Sequence, residues 1–303
     1  MGEIGKLTIN GKVFEHVKTR AYAPVSIFKS GDLFLRKGPK KLLEEEIAFH
    51  RTLLEYDFPI PRILEEGDLE GEYYYIETSL GEKHFGEIFI EDTKNHGEIS
   101  ENHFGKFLEV AEKFAKAQLA TRNERRNEES FYSGLGLEFN IEELPELKED
   151  TLRAFDKVKE KSKSLPYVLT HGDFNPYNIL ERGVIDFGSS FHAPAGYDIV
   201  TNIYHIYNFP EKDGYEMKRC FDFSEQQKET YLEKMNVIYR EAGLPEPTDF
   251  ADDFIFCRTI WATVRNEKIP KIQKWRYDRF GKILAAYLRD ESLPELVEKE
   301  WGK

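Results

Sequence analysis

The run THGDFNPYNIL, Thr170 to Leu180, is followed closely by VIDFG, Val184 to Gly188. In it Asp173 stands two residues after His171, Asn178 follows five residues later, and a second carboxylate, Asp186, comes eight residues after that. Phosphoryl transfer needs these residue types: one group to orient an attacking hydroxyl, and oxygen ligands for magnesium on the nucleotide phosphates. The flanking pattern supplies the mounting. An apolar strand from Tyr167 to Thr170 enters the loop and Ile179–Leu180 leave it. Glu181–Arg182–Gly183 then turns the chain into Val184–Ile185. A polar loop held at both ends by buried strands can aim its side chains. For any one of these residues the ordinary alternative is a turn cap, but the whole set at this spacing favours chemistry.

HGDFNPYN resembles the HGDxxxxN signature of the aminoglycoside phosphotransferase and choline kinase group, small-molecule relatives of the eukaryotic-type protein kinases, and VIDFG is similar to that group's magnesium motif. The resemblance implies an α+β, two-lobed protein kinase-like fold. Residues 1–80 would form a small nucleotide-binding lobe, a β-sheet with one main helix, and residues 81–303 a larger, mostly helical lobe for catalysis and acceptor binding. It implies ATP, with GTP as the alternative, and Mg2+. Asp173 would orient and deprotonate the acceptor hydroxyl, Asn178 and Asp186 would bind metal, and His171 would brace the loop without touching substrate.

The elements ahead of the loop read in the same order. Phe14 to Lys18, Val25 to Lys29 and Leu33 to Lys37 are short strands, with Ser30–Gly31–Asp32 as a tight turn. A helix follows from about Lys41 to Tyr56, Pro59 and Pro61 stop it, and Tyr73 to Glu77 is a further strand. LFLRK carries two cations on opposite strand faces, so only one can meet the nucleotide. Aligned on the family's apolar run, Arg36 takes the phosphate-gripping place, with Lys37 as the register alternative. Family spacing to Pro61 makes Glu46 the helix carboxylate that holds Arg36. Adenine is expected against the link from Glu77 to Leu80. The loop 19–24 departs from the pattern, because it has no GxGxxG to bring backbone amides close to phosphate.

Beyond residue 81 the apolar spacing is helical. Ser100 caps a helix reaching Thr121, and residues 122–150 are charged and less regular, like a mobile or substrate-proximal insertion. A helix over 151–164 leads into the catalytic strand. Asp198 is expected to cap the helix that follows it and to bond the catalytic-loop backbone. Ser224–Gln227 forms a capping box, and helices are expected over 249–266 and 272–290. For a cationic acceptor the candidates are the faces of Trp261, Trp275 and Tyr277 and the acids Asp249, Asp252 and Asp253, with interhelical packing as the plainer reading of the aromatics. Tyr177 either touches substrate or packs beneath the loop.

A net charge of −13 argues against a nucleic-acid partner, whose phosphates need a basic surface. Cys220 and Cys257 have neither zinc nor disulfide spacing. No stretch is apolar enough to span a membrane, and the first residues, MGEIGK, carry no signal-peptide core, so a cytoplasmic protein is expected. The resemblance implies that it acts on a hydroxyl of a small molecule, an aminoglycoside, choline or ethanolamine, an amino alcohol or a sugar. A kinase acting on protein is the first alternative. Only ten residues, Phe187 to Gly196, separate Asp186 from Tyr197–Asp198, too few for a regulated activation loop. The second is a nucleotide-binding pseudokinase scaffold, against which the intact Asp173, Asn178 and Asp186 argue. The third, a hydrolase built on the same carboxylates, would need a positioned water in place of the acceptor.

Overall fold

The computed structural model describes residues 5–20, 23–123, 127–211, 218–264 and 270–302. Outside them lie the extreme start of the chain, Ala21 and Tyr22 of the expected phosphate loop, residues 124–126 of the charged stretch and the end of the helix expected over 249–266.

Three short turns build the first sheet. Asn10 and Gly11, both at positive φ (47° and 76°), join β1 (Lys6–Ile9) to β2 (Lys12–Thr19). Paired positive φ angles match the twist of a two-residue hairpin, and Asn-Gly is the pair that adopts them most readily. Gly31–Asp32 joins β3 (Ser26–Ser30) to β4 (Leu33–Gly38), and Glu70–Gly71 joins β5 (Ile63–Leu69) to β6 (Glu72–Thr78). The sheet order is β1-β2-β3-β4-β6-β5, with every pairing antiparallel. The helix α1 (Lys40–Glu55) bridges β4 to β5 and packs Leu43 and Ile47 against Tyr75 and Val25 on one sheet face. The other face buries Phe14, Phe28, Leu35, Tyr74 and Ile76. Strands β1 and β5 were not among those read from the sequence.

The chain then becomes helical. α2 (Phe85–His96), α3 (Glu101–Ala120), α4 (Glu128–Leu135), α5 (Leu137–Glu143) and α6 (Lys148–Lys161) precede the segment that carries the two motifs. Ser100 accepts from the His103 amide as the cap of α3. Residues 127–150 are not an insertion: Phe131, Leu135 and Leu137 are buried in the main core. That segment holds two small antiparallel sheets, β7 (Tyr167–Leu169) with β10 (His192–Pro194), and β8 (Ile179–Leu180) with β9 (Gly183–Val184). There follow α7 (Tyr197–Ile203), α8 (Glu225–Glu241) behind the Ser224–Gln227 capping box, α9 (Ala251–Thr263), α10 (Pro270–Leu288) and α11 (Leu293–Trp301). Helix α9 is buried on all sides from Asp253 to Thr263, which makes it the central strut of this part.

Candidate active site

Each of the two candidate carboxylates, Asp173 and Asp186, is followed by a phenylalanine, and the two rings fix their positions. Phe174 is 1 % exposed and stacks on Phe114 of α3 with ring centroids 3.9 Å apart. Phe187 packs against His171 at 4.5 Å and Phe58 at 5.7 Å. Driving each ring into the core turns the preceding Asp outward, and aromatic pairs of this kind contribute about 0.5–1.5 kcal/mol beyond their buried area.

A backbone clamp at Ile185 joins the two motifs. The Ile185 N–H donates to the Asn178 carbonyl at 3.0 Å, and the His171 ring donates from Nε2 to the Ile185 carbonyl at 2.8 Å. The His171 Nδ1 accepts the Asp173 N–H at 3.2 Å, which fixes the proton on Nε2. His171 is fully buried and braces the loop, as the resemblance implied. Gly172 is at φ 76°, and a Cβ there would lie 2.0 Å from the Ser189 carbonyl oxygen, so no other residue fits. Beneath the loop, the buried Asp198 accepts the His171 N–H at 2.6 Å, the Gly172 N–H at 3.2 Å and Gln118 Nε2 at 2.8 Å. Burial raises its pKa against the opposing pull of these donors and of His171. Asp198 bonds the loop as expected, but it lies inside α7, whose N-cap is Gly196.

At the reacting end, Asn178 Nδ2 donates to the Asp173 carbonyl at 2.8 Å and contacts Oδ2 at 3.3 Å. Asp173 presents only acceptors there, so the Asn178 amide nitrogen must face it and Asn178 Oδ1 must point elsewhere. Asp186 is exposed and sits in the left-handed region at φ 65°, ψ 58°, an uncommon setting, and its side chain makes no capping bond to the turn that follows it. Asn178 Oδ1 and the Asp186 carboxylate make an oxygen-only donor set. That fits Mg2+, which takes few protein ligands and fills its shell with water and phosphate. Tyr177 packs over Gly86, where a Cβ would lie 2.5 Å from its ring, and stays half-buried with its pKa pushed up to about 12 by burial.

A family model described as the phosphotransferase enzyme family, APH, matches residues 26–227, two thirds of the chain. The chain belongs to this family. No curated protein sequence matches it. Among solved structures, it is similar to a thermostable mutant of the aminoglycoside phosphotransferase APH(4)-Ia in its apo form. That match is at 14 % identity and TM-score 0.52, covering 90 % of this chain and 94 % of that one. It is also similar to a choline/ethanolamine kinase family protein from Mesorhizobium loti, at 15 % identity and TM-score 0.52, covering 90 % and 92 %. Likeness at this identity establishes the fold, which is kinase-like.

In this family member the first sheet corrects one expected pairing. Arg36 Nε donates to Glu77 Oε1 at 2.8 Å, and Glu77 is 3 % exposed. Burial works against the Arg36 charge, but Glu77, with Tyr75 and Glu46 farther off, outweighs it and holds the guanidinium pKa above its usual value. Glu46 instead pairs with Arg20 of the 19–24 loop and accepts the Tyr75 hydroxyl at 3.1 Å. The reason is the register: Arg36 lies opposite Tyr75 and one diagonal step from Glu77. Lys37 is corrected too. Alternation turns it to the face away from α1, where Glu72 at 3.1 Å and Glu70 at 3.3 Å hold it. In the link expected to meet adenine, the Ser79 N–H donates to the Asp32 carbonyl at 2.8 Å. The Ser79 carbonyl accepts Arg182 Nη2 at 2.9 Å, and the Leu80 carbonyl accepts the Arg182 N–H at 3.0 Å.

Arg258 was not anticipated. It lies on α9, 3 % exposed, and donates to Asp173 Oδ1 at 2.6 Å and to the Gly172 carbonyl at 2.8 Å. Its signal was present as one cation in the apolar run FIFCRTIW, because a charge buried in a core helix requires a partner. The aromatic side chains expected to meet a cationic acceptor have protein partners. Arg258 lies over Trp261 at 3.6 Å, Arg279 over Trp275 at 6.0 Å, and the Tyr277 hydroxyl donates to Glu143 at 2.6 Å. Asp252 accepts the Leu293 N–H at 2.7 Å, and Asp253, 1 % exposed, accepts the Tyr287 hydroxyl.

Proposed function

We propose that this family member transfers the γ-phosphoryl of ATP, or of GTP, to a hydroxyl of a small molecule in a Mg2+-dependent reaction. The observation that supports the reading is the Ile185 clamp: its N–H bonds the Asn178 carbonyl at 3.0 Å and its carbonyl accepts the His171 ring at 2.8 Å, tying the residue before Asp186 to the loop that carries Asp173 and Asn178. On this reading residues 1–80 bind the nucleotide, with Arg36, steadied by Glu77, on its phosphates and the Glu77–Leu80 link beside adenine. Glu46 keeps Arg20 at the mouth of the same site. Residues 81–303 hold the acceptor. Asp173 orients its hydroxyl and takes its proton as the bond to phosphorus forms, a contribution of about 10²–10⁴ in rate. Bound through Asn178 Oδ1 and Asp186, the metal would neutralise phosphate charge. Because the transition state is loose, this positioning is most of what the protein contributes.

A small acceptor is favoured over a protein by the segment after Asp186. Its residues His192–Pro194 are paired with β7, the His192 N–H donates to Ser130 Oγ at 2.9 Å, and Phe191 is 7 % exposed. A segment held this way is not an adjustable docking loop. Among the described residues no helix is long and apolar enough to cross a membrane. We place the protein in the cytoplasm, where such a reaction finds its nucleotide, with no nucleic-acid partner.

Calorimetric nucleotide binding with and without Mg2+ tests the metal assignment. Wild type is expected to bind Mg·ATP more tightly than free ATP, and Asp186→Ala to lose that difference. A difference of wild-type size in the variant refutes the role given to Asp186.

A further inference from the structure

We infer that Arg20 is a second phosphate-binding residue, which reaches the nucleotide from the 19–24 loop beside Arg36 and does with a side chain what the amides of a glycine loop would do. The inference rests on the phosphotransferase reading above and extends its nucleotide site.

The loop reads Thr19–Arg20–Ala21–Tyr22–Ala23–Pro24, with no glycine. A side chain at every position keeps backbone amides from approaching a phosphate closely. A long guanidinium covers that gap and carries five N–H donors in a fork that matches phosphate oxygens. The base of the loop fixes where this one starts. The Arg20 N–H donates to the Val25 carbonyl at 2.9 Å, and Val25 is fully buried in the cluster of Leu43, Ile47 and Tyr75. At the other end, the Pro24 carbonyl packs on Gly38 of β4, where a Cβ would lie only 2.8 Å from it. The loop is thereby seated on the strand that carries Arg36.

Arg20 and Arg36 meet on one face of the sheet, with Tyr75 between them. The Tyr75 hydroxyl donates to Glu46 Oε2 at 3.1 Å, Glu46 Oε1 pairs with Arg20, and the Arg36 guanidinium lies 5.8 Å from the Tyr75 ring. Burial raises the Tyr75 pKa well above its ordinary value, and Arg36 and Arg20 both pull against that rise, so both charges act on this one phenol. Each arginine has its own carboxylate, Glu77 for Arg36 and Glu46 for Arg20. The two pairs differ in access. Glu77 is buried, whereas the Arg20 and Glu46 side chains are 32 % and 25 % exposed. A guanidinium held through Nη1 by a carboxylate, and still a third exposed, can take phosphate oxygens on its remaining donors without leaving its partner. Two such forks on one face suit the several negative charges of a nucleotide's phosphate chain.

The test is calorimetric binding of Mg·ATP, Mg·ADP and adenosine to the full chain, wild type beside Arg20→Gln. Loss of a charge-assisted bond to phosphate is expected to weaken ATP and ADP on the order of 10- to 100-fold in the variant, with adenosine unchanged. Arg20→Lys keeps the charge but not the fork and is expected to fall between the two. Wild-type ATP affinity in Arg20→Gln overturns the inference. So does an equal loss for adenosine, which would make the Arg20–Glu46 pair a structural tie alone. If the glutamine variant does not fold, Arg20→Lys carries the same readout: weaker ATP with unchanged adenosine supports the inference, and unchanged ATP overturns it. Failure of wild type to bind ATP or ADP overturns the phosphotransferase reading beneath it, whereas wild-type binding that Arg20→Gln leaves intact overturns the role of Arg20 alone.

Discussion

The partner of Arg36 can be decided by a double-mutant cycle. The Arg36 and Glu77 side chains are 19 % and 4 % exposed and meet at 2.8 Å, so each stands largely desolvated against the other. Removing one partner leaves an uncompensated buried charge, at a cost of about 3–5 kcal/mol, whereas removing both leaves none. Glu77→Ala and Arg36→Met are therefore each expected to lower unfolding free energy by about 3 kcal/mol or more, and the double variant to lose far less than the sum. That corresponds to a coupling energy of about 2–3 kcal/mol, at the upper end for contacting pairs. The Arg36–Glu46 cycle should give about 0.5 kcal/mol or less, since Glu46 is bonded to Arg20 and Tyr75. The assay is urea unfolding of the three variants in each cycle, with m-values checked for two-state behaviour. A larger coupling with Glu46 than with Glu77 would refute the pairing and restore the one implied by family spacing.

Two further outcomes follow from buried groups. Asp198→Ala leaves the His171 and Gly172 amides and Gln118 Nε2 without their acceptor. At about 1–3 kcal/mol for each orphaned donor, less the relief of a buried carboxylate, the net loss should be about 3–5 kcal/mol. A loss below about 1 kcal/mol by urea unfolding would contradict this, since one orphan alone costs that much. His50 has its pKa depressed from 6.5, chiefly by burial and further by Arg36, while its bond to the Pro61 carbonyl and nearby Glu77 and Glu46 oppose the shift. The folded state then binds the proton less tightly than the unfolded one, so its contribution is complete above pH 6.5 and is lost as pH falls through the depressed value. Wild type should lose stability between pH 7.5 and 5 more steeply than His50→Gln, and equal slopes would contradict it.

What could be read in the sequence was what is local. The candidate catalytic and metal motifs carry their own strands, turns and anchoring phenylalanines within nineteen residues, Thr170 to Gly188, so short-range pattern was enough. Helix α3 and the capping box of α8 were legible for the same reason, because caps are written in adjacent residues. Strand β1 was overlooked although Asn10–Gly11 announces its hairpin, and β5 because ILEEGDL shows no alternation of apolar and polar residues. Helices α4 and α5 were hidden by charge, since their buried faces rest on a few residues such as Phe131 and Leu135. Pairings made across the fold were beyond reach. Arg258 meets Asp173 over 85 residues and Arg36 meets Glu77 over 41, and neither distance leaves a trace in local pattern.

On the proposed function, Asp173 receives the acceptor hydroxyl in phosphoryl transfer. The most direct measurement is acceptor-dependent ADP release with Mg·ATP, with neutral, cationic and anionic hydroxyl compounds pooled as acceptors, for wild type beside Asp173→Asn. An acceptor-stimulated rate is expected in wild type and a fall of about 10²-fold or more in the variant, with nucleotide binding retained. An equal rate in the two proteins, or release of phosphate independent of any acceptor, would contradict it.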